Sequence, residues 1–300
     1  MDIVVEYADH YVTDGAYQWL ADYTPCPYLE RSHFARQYIT VSLLVFLSFN
    51  AMYFVEATIA YYFIFDHGLK KHPKFLPHQV RREISASTRA FLPMSLLKGI
   101  WFVAEMRGYS LLYDGVATYG WYYLGASALM LLLFTDFCVY WNHRLLHHRW
   151  VYAKFHKPRH KWIIPTPYAA FAFHYLDGYL QSVPYHLGVF IFPVHKLLYL
   201  AVYFLGCTWA IMFHGGEYII TNQYLNASAH HNMHHLYFNY NYGQYFTLWD
   251  QMFGTYRHPS LEVTDGELRH SASVQKRQAS EVDHALPNLE APWGHKLVLE

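Results

Sequence analysis

The stretch YITVSLLVFLSFNAMYFVEATIAYYFIF, from Tyr38 to Phe65, contains a single charged side chain, Glu56. As a helix it would be about 42 Å long, which exceeds the roughly 30 Å hydrocarbon layer of a bilayer. We therefore predict that it spans a membrane with some tilt. A carboxylate facing lipid would cost on the order of 3 kcal/mol, so we expect Glu56 to face protein or water.

Further apolar regions extend this pattern along the chain. The run Thr118–Trp141 predicts a second strong crossing, and the weaker run AFLPMSLLKGIWFVAEM before it predicts the other arm of a helical hairpin. The region Tyr179–Phe213 is too short for two crossings of about 20 residues and is interrupted by Pro184 and Pro193, so it predicts two short helices or a re-entrant hairpin. The predicted fold is all-α, an integral membrane helical bundle with a cytoplasmic histidine-rich helical cap.

The composition supports a membrane protein without a nucleic-acid partner. Of the 300 residues, 54% are hydrophobic and 15% are charged, whereas ordinary soluble domains contain about 25% charged residues. Acidic and basic residues balance at 22 each, so no global basic field attracts nucleic acid. The cysteines Cys26, Cys138 and Cys207 are scattered and predict neither a disulfide framework nor a paired-cysteine zinc site.

The charges that flank the first span predict the orientation of the chain. Lys and Arg near span ends prefer the cytoplasm, and the N-terminal residues are mainly acidic. We therefore predict a lumenal N-terminal tail at 1–37, a membrane domain at 38–257, and a polar, loosely ordered cytoplasmic tail at 258–300. All the dense histidine groups are then cytoplasmic. The cations of the loop after the first span are Lys70, Lys71, Lys74, Arg81 and Arg82.

Histidines are concentrated in the second half of the chain, where 13 of the 22 lie between positions 143 and 235. In HRLLHH (143–148), His143 and His147 are four residues apart, so a continuing helix projects both from one face. The motif HKPRH (156–160) repeats this spacing for His156 and His160, although Pro158 between them makes a uniform helix less favourable.

A third group, HHNMHH, contains two further pairs with helical spacing, His230 with His234 and His231 with His235. One such pair can arise by chance in a histidine-rich chain. Three dense groups on one predicted face of the membrane indicate a metal site instead. The third box is taken as residues 231–235.

The number and type of these side chains favour two metals. Neutral imidazole binds iron, zinc, copper and nickel, and a tetrahedral site uses at most four protein ligands, whereas at least eight histidines are available. No acid is interleaved with them as in Glu-x-x-His bundles, so we favour two irons held mainly by imidazole. Asp136, seven residues before His143, and His230 are candidates to hydrogen-bond the ligand rings, although Asp136 could equally pair locally. No catalytic residue beyond the metal ligands is predicted.

These motifs carry a resemblance to a known family. The boxes HRLLHH, HKPRH and HNMHH, the segment PTPYAAFAFHYLDGYLQSVPYH, and the segment LYFNYNYGQYFTLWDQMFGTYRHP resemble sterol C5-desaturases (lathosterol oxidases) of the fatty acid hydroxylase superfamily. The resemblance covers about Phe65 to Pro259. It implies a multi-pass enzyme of the endoplasmic reticulum membrane that introduces the C5–C6 double bond into a Δ7-sterol. It also implies two irons, dioxygen, and electrons from NAD(P)H through cytochrome b5 and its reductase.

The resemblance also implies a set of ligands. Its motifs place a histidine at each box position and at two positions outside the boxes. The metal ligands implied in this way are His143, His147, His148, His156, His160, His174, His214, His231, His234 and His235.

Three positions depart from the family pattern near these ligands. Arg159 and Phe171 stand where the family has histidine, and Gly215 stands where it has aspartate. Arginine has no lone pair to give to a metal and stays cationic, so Arg159 is a candidate neighbour of the ligands and not itself a ligand. The alternative hypothesis is therefore a catalytically impaired or retargeted relative, either a sterol-binding protein or a hydroxylase of another lipid.

Overall fold

The computed structural model describes residues 2–23 and 29–290, and helices account for most of them, which confirms the predicted all-α class. Cys26 lies outside the described residues. Short π-helical turns, Asp9–Thr13 and Tyr152–His156, interrupt the helices. The helices are α1 (Asp2–Ala8), α2 (Asp14–Tyr23), α3 (Phe34–Phe63), α4 (Gln79–Met106), α5 (Gly120–Leu146), α6 (Arg149–Val151), α7 (Lys157–His160), α8 (Tyr175–Ile191), α9 (Lys196–Met212), α10 (Ser228–Tyr237), α11 (Leu248–Met252), α12 (Leu261–Thr264), α13 (Gly266–His270) and α14 (Ala272–Glu290), with 3₁₀ turns at His67–Lys71, Val116–Thr118 and Pro167–Phe171.

Helix α3 is the first predicted span. It begins four residues earlier than the apolar run because the His33 imidazole accepts a hydrogen bond from the Ala35 amide at 3.1 Å and caps the helix. Large apolar side chains such as Leu47 and Ile59 are exposed along it, as expected for a surface that faces lipid. The Glu56 carboxylate accepts a hydrogen bond from Thr208 Oγ1 at 3.1 Å, so it faces α9 as expected.

The remaining long helices complete the bundle. Helices α3 and α5 are long and apolar enough to cross a membrane by length and composition. Helix α4 packs along α3 and contains Pro93. The prediction that α4 and α5 form a hairpin is wrong, because α4 packs mainly against α3 and α5 packs mainly against α8, and the two helices hardly touch each other. The third apolar region forms two helices of 17 residues, α8 and α9, which confirms the prediction of short helices. Pro193 follows α8 closely and disfavours its continuation.

A pair of two-residue strands joins the α4–α5 connection to the α8–α9 connection. Strand β1, Leu112–Tyr113, lies between α4 and α5, and strand β2, Val194–His195, lies between α8 and α9. They pair in parallel, with Leu112 opposite Val194. Because β1 precedes α5, this connection lies at the end of the bundle away from His143. It holds the helices that carry histidine segments at their other ends.

The terminal segments are more ordered than the sequence indicated. The expectation of a loosely ordered tail is wrong for residues 261–290, which form three helices, of which α12 and α14 pack against α10. Val282 of α14 is buried in the same apolar cluster as Leu236 of α10, and the Tyr237 hydroxyl donates a hydrogen bond to Glu281 at 3.1 Å. The sequence feature that predicts helix here is a stripe of apolar residues that recurs about every 3.6 positions. The polar residues between them dominate the composition of this segment, so composition alone did not indicate a packed helix. The membrane side of both termini and the domain limits stay predictions.

His72 predicts a pH dependence for this C-terminal packing. Its imidazole is buried beside Gln278 of α14, and burial lowers its pKa from the ordinary 6.5 to about 4. The state in which α14 packs over His72 therefore binds fewer protons than a state in which α14 has detached. The packing of α14 is then fully stable above pH 6.5 and weakens as the pH falls, by on the order of 2 kcal/mol at pH 5. The hydrogen-exchange protection factors of α14, which are corrected for the intrinsic pH dependence of amide exchange, should fall between pH 7 and pH 5, and His72→Leu should remove that dependence. Equal slopes in both proteins would contradict it.

Candidate metal centre

The first histidine box lies at the end of α5. His143 is in the last turn of the helix and His147 caps it, so their i,i+4 spacing brings both rings to one side. The ring centres are 5.4 Å apart. The His143 Nδ1 donates a hydrogen bond to the Tyr242 carbonyl at 3.0 Å, which leaves Nε2 as a lone-pair donor.

The second box follows a π-helical turn. This turn, Tyr152–His156, leads into α7, where Pro158 occupies the first turn. Proline is tolerated there because the amides of the first turn need no intrahelical partner, so the two histidines keep their shared face. The His156 Nδ1 donates a hydrogen bond to the Asp177 carboxylate at 2.8 Å, and both side chains are fully buried. The His156 and His160 ring centres are 4.9 Å apart.

The third box lies on α10, where every side chain from Ser228 to Leu236 is buried. The His234 Nδ1 donates to the Tyr240 carbonyl at 2.7 Å. His214, one residue beyond the C-cap of α9, donates from Nδ1 to the Ala210 carbonyl at 2.6 Å. These backbone acceptors fix the tautomer of each ring and direct Nε2 towards the neighbouring histidines.

The structure brings eight histidines into two adjacent groups. Within each group the candidate ligand atoms lie within 4.8 Å of one another, and every member is buried. The groups adjoin because the ring centres of His160 and His235 are 5.2 Å apart. The first group consists of His143, His147, His156, His160 and His234, and the second consists of His214, His231 and His235.

Burial keeps these imidazoles in the neutral form that binds metals. It lowers the pKa of His147, His160 and His234 well below the ordinary 6.5, and neighbouring histidines add to the shift. In the second group burial also lowers the pKa of His231 and His235 well below that value. The lone pairs are therefore available at neutral pH.

The arrangement of nitrogen atoms fits a metal. The Nε2 atoms of His143, His156 and His234 are buried and have no hydrogen-bond partner among the described residues. In the second group, His231 Nε2 lies 3.1 Å from His214 Nε2 and 3.0 Å from His235 Nε2. Buried polar atoms in folded proteins normally have hydrogen-bond partners. These nitrogen lone pairs face one another without a hydrogen-bond donor, and a cation bound between them would supply the missing partner. Imidazole sets of this kind suit iron, zinc, copper or nickel.

Three of the predicted side chains lie outside both groups. His148 is exposed and precedes the short helix α6. His174 caps α8 by accepting from the Leu176 amide at 3.2 Å and stacks on Tyr175. His230 is buried, but its ring lies against Tyr256 and not among the clustered histidines, although its i,i+4 spacing with His234 suggested a shared position.

Asp136 does not orient a histidine ring among the described residues. One of its carboxylate oxygens accepts backbone N–H groups of Gln244 at 3.1 Å and Tyr245 at 2.6 Å, and approaches that of Phe246 at 3.4 Å. Asp136 therefore contacts no ligand ring among the described residues. It does not pair locally either, because the amides that it binds lie more than 100 residues away in the sequence. Asp136 fixes the loop whose Tyr242 carbonyl orients His143.

Asp177 is the carboxylate that the sequence analysis missed. It lies in the first turn of α8, 21 residues after the histidine that it orients, so spacing alone does not connect the two. The sequence feature that could have identified Asp177 is an acidic residue in a largely apolar helix, because a buried carboxylate requires a polar partner. The Gln181 side chain donates to the other carboxylate oxygen at 2.5 Å and completes the network.

Replacing Asp177 with asparagine is expected to weaken metal binding by the first group about 10- to 100-fold, the usual cost of losing an outer carboxylate. The amide retains the shape of the side chain but carries no charge to hold the His156 tautomer. Competitive titration with a chelator measures the effect on purified protein. Asp283→Asn, at a surface ion pair with Lys74, is the matched control. Unchanged affinity in Asp177→Asn would contradict this role.

Arg159 lies against the second group. Its Nη2 is 3.5 Å from His231 Nε2, the same atom that meets His214 and His235. The guanidinium is buried, and its Nε has no hydrogen-bond partner among the described residues. Burial lowers the pKa of Arg159, while the Asp177 carboxylate opposes that shift. Arg159 therefore competes with a metal for a ligand lone pair.

The other two departures from the family pattern have different settings. Phe171 is buried among aromatic rings, with its ring centre 5.7 Å from that of Phe49 and 6.1 Å from that of Phe173. At Gly215 a Cβ atom would lie 2.6 Å from Glu217 Oε2. The longer acid two residues later thus occupies the space beside Gly215.

Comparison with known proteins supports the site. The fatty acid hydroxylase model matches residues 128–255, which contain both histidine groups. A Δ7-sterol 5(6)-desaturase of Schizosaccharomyces pombe is 44% identical over 283 residues, covering 94% of this chain and 92% of its own. The lathosterol oxidase of Homo sapiens is 47% identical over 286 residues, covering 93% of each chain. The chain belongs to the fatty acid hydroxylase family.

Within this family, the similarity extends well beyond the histidine boxes. A Δ7-sterol 5(6)-desaturase of Aspergillus fumigatus is 45% identical over 261 residues, which cover 87% of this chain and 74% of that protein. No solved structure matches the chain. The resemblance inferred from the histidine boxes is thus confirmed across most of the sequence.

Proposed function

We propose that this chain is a dioxygen-dependent sterol desaturase that introduces the C5–C6 double bond into a Δ7-sterol. The observation that supports it best is the pair of adjacent, buried histidine groups at one end of an apolar helical bundle. The curated relatives that match nearly the whole chain carry desaturase and lathosterol oxidase names. These names do not favour the alternative of an impaired or retargeted relative.

The two histidine groups would each hold one iron, which supplies the oxidising power for cleaving unactivated C–H bonds with dioxygen. Overall, the sterol loses one hydrogen from C5 and one from C6, and dioxygen takes up these, two electrons and two protons to leave as two waters. The residues of the chain position the histidine rings and exclude water from the site. Asp177 orients His156, the Tyr242 and Tyr240 carbonyls orient His143 and His234, and the surrounding aromatic side chains keep the site dry.

The proposed setting is the endoplasmic reticulum membrane, with the histidine groups at the cytoplasmic face. The basic segment between α3 and α4 lies at the same end of the bundle as the C-terminus of α5, which carries His143. The positive-inside rule favours the cytoplasm for this end. Electrons would come from NAD(P)H through cytochrome b5 and its reductase, the donors that the family resemblance implies.

The test is complementation of yeast cells that lack their own Δ7-sterol 5(6)-desaturase. We expect the expressed chain to restore sterols with a conjugated 5,7-diene, seen by ultraviolet absorbance of the extracted lipids. Mass spectrometry of the same extracts distinguishes the other reactions. A new hydroxylated sterol or lipid without any diene would replace desaturation with hydroxylation, and an unchanged lipid profile would reject both activities.

A further inference from the structure

Lys98 is a basic residue buried inside the helical bundle. It lies in the C-terminal half of α4 and is 2% exposed. Among residues 2–23 and 29–290 its amino group makes no hydrogen bond or ion pair. It lies 4.1 Å from the ring centre of Phe49 and 5.5 Å from that of Tyr203. Lysine is almost never fully buried unless it is paired, and ionisable residues inside a membrane bundle commonly mark a binding site.

A second polar group beside Lys98 also lacks a partner. The Tyr203 hydroxyl of α9 is buried and makes no hydrogen bond among the described residues. By contrast, the nearby Tyr185 hydroxyl is satisfied, because it pairs with that of Tyr245. Two unsatisfied groups side by side in an apolar bundle are costly unless they share a ligand.

Both groups line one cavity that reaches the second histidine group. The cavity has a volume of about 70 Å³, and its wall includes Lys98, Tyr203, Arg159 and Phe213. Arg159 contacts His231 at 3.5 Å, and the ring centres of Phe213 and His231 are 4.1 Å apart. No carboxylate lines the cavity. Typical ligand sites exceed about 300 Å³, so this cavity takes only one end of a large ligand in the present arrangement.

We propose that Lys98 and Tyr203 bind the 3-hydroxyl group of the sterol and thereby determine which end of it meets the histidines. This inference rests on the proposed desaturase function and identifies the residues that recognise the substrate. The amino group donates a hydrogen bond to the sterol oxygen, and the sterol hydroxyl in turn donates to the Tyr203 oxygen. Lys98 can donate whether or not it is protonated.

The chemistry of a sterol matches this placement. A simple sterol is a hydrocarbon except for its hydroxyl on C3, and C3 is separated from C5 by one carbon. In a cavity that touches both Lys98 and Arg159, an oxygen held at one wall brings C5 towards the histidine side. Arg159 is the other charged donor in the wall, but it already faces His231 and lies in the field of Asp177. Lys98 has no such competing partner.

The experiment compares binding of two ligands that differ only at C3. Purified full-length protein is titrated with a Δ7-sterol and with its 3-deoxy analogue by displacement of a radiolabelled Δ7-sterol. We expect the intact protein to prefer the hydroxylated ligand by about tenfold, corresponding to about 1.4 kcal/mol. Lys98→Met, which retains the volume of the side chain, should lose most of this preference and keep at most about twofold, because only the Tyr203 oxygen still contacts the hydroxyl. Lys154→Met, at an exposed lysine outside the cavity, should retain the preference.

Further readouts separate the possible failures. Lys98→Gln retains a shorter donor and should keep about a threefold preference, which decides the matter if the Met variant does not fold. Iron content should not change in either variant, because neither change touches a ligand. A preference above about twofold in Lys98→Met, or no preference in the intact protein, overturns the role of Lys98. Diene formation is assayed separately, so a protein that shows the preference but forms no diene rejects the desaturase proposal alone.

Discussion

Arg159→His is expected to raise the affinity of the second histidine group for iron at least tenfold and to increase diene formation in yeast. The change removes a guanidinium that hydrogen-bonds the His231 lone pair and adds an imidazole beside three nitrogen ligands. Two like unit charges 4 Å apart repel by about 4 kcal/mol at an effective dielectric constant of 20, so the charge alone is a large penalty. Iron titration of the purified proteins, with His214 and its neighbours otherwise unchanged, measures the effect.

Arg159→Met separates the two contributions of that change. Methionine removes the charge and the competing hydrogen bond and supplies only a weak thioether in place of imidazole. We expect its iron affinity to lie between those of the natural chain and Arg159→His. If methionine and histidine give the same affinity, repulsion is the whole effect. If both leave iron binding and diene formation unchanged, Arg159 does not limit the metal centre.

The membrane helices could be predicted because their signal is local. A long apolar run determines α3 by itself. Pro193 separates the two short helices between Tyr179 and Phe213, whereas Pro184 lies inside α8 and does not interrupt it. The folding of α14 was missed, since its stripe of apolar side chains is diluted by charged residues and its burial depends on contacts with α10. Such contacts join residues far apart in sequence, and no local pattern records them.

The three histidine boxes could also be recognised in the sequence, but the way in which their histidines divide into two spatial groups could not. The spacing in each box places pairs on one helix face, whereas the two groups combine His234 of α10 with the first two boxes and its neighbour His235 with His214. This division of the box histidines between two groups depends on how α5, α7 and α10 pack together. The same packing leaves His148 exposed, although it directly follows the clustered His147 in the sequence. Likewise Asp177 reaches His156 only because α8 packs beside the π-helical turn.

His234→Ala is expected to abolish diene formation and to remove iron from the first group. The His234 ring lies between the first two boxes, with its centre 4.5 Å from that of His143 and 4.8 Å from that of His160. It also adjoins the second group, at 5.6 Å from the His231 ring centre. Loss of an outer partner costs 10- to 100-fold in metal affinity, so removal of a nitrogen that faces the site should cost more than about 100-fold.

The control is His148→Ala, since both residues belong to histidine boxes but only one reaches the centre. His148 is exposed at the start of α6, so its loss should leave iron content and diene formation within about twofold of the natural chain. Elemental analysis and the diene assay are applied to both variants, with melting temperatures to confirm folding. Equal losses in the two variants would mean that the box motif as a whole, and not the spatial grouping around His234, defines the ligands.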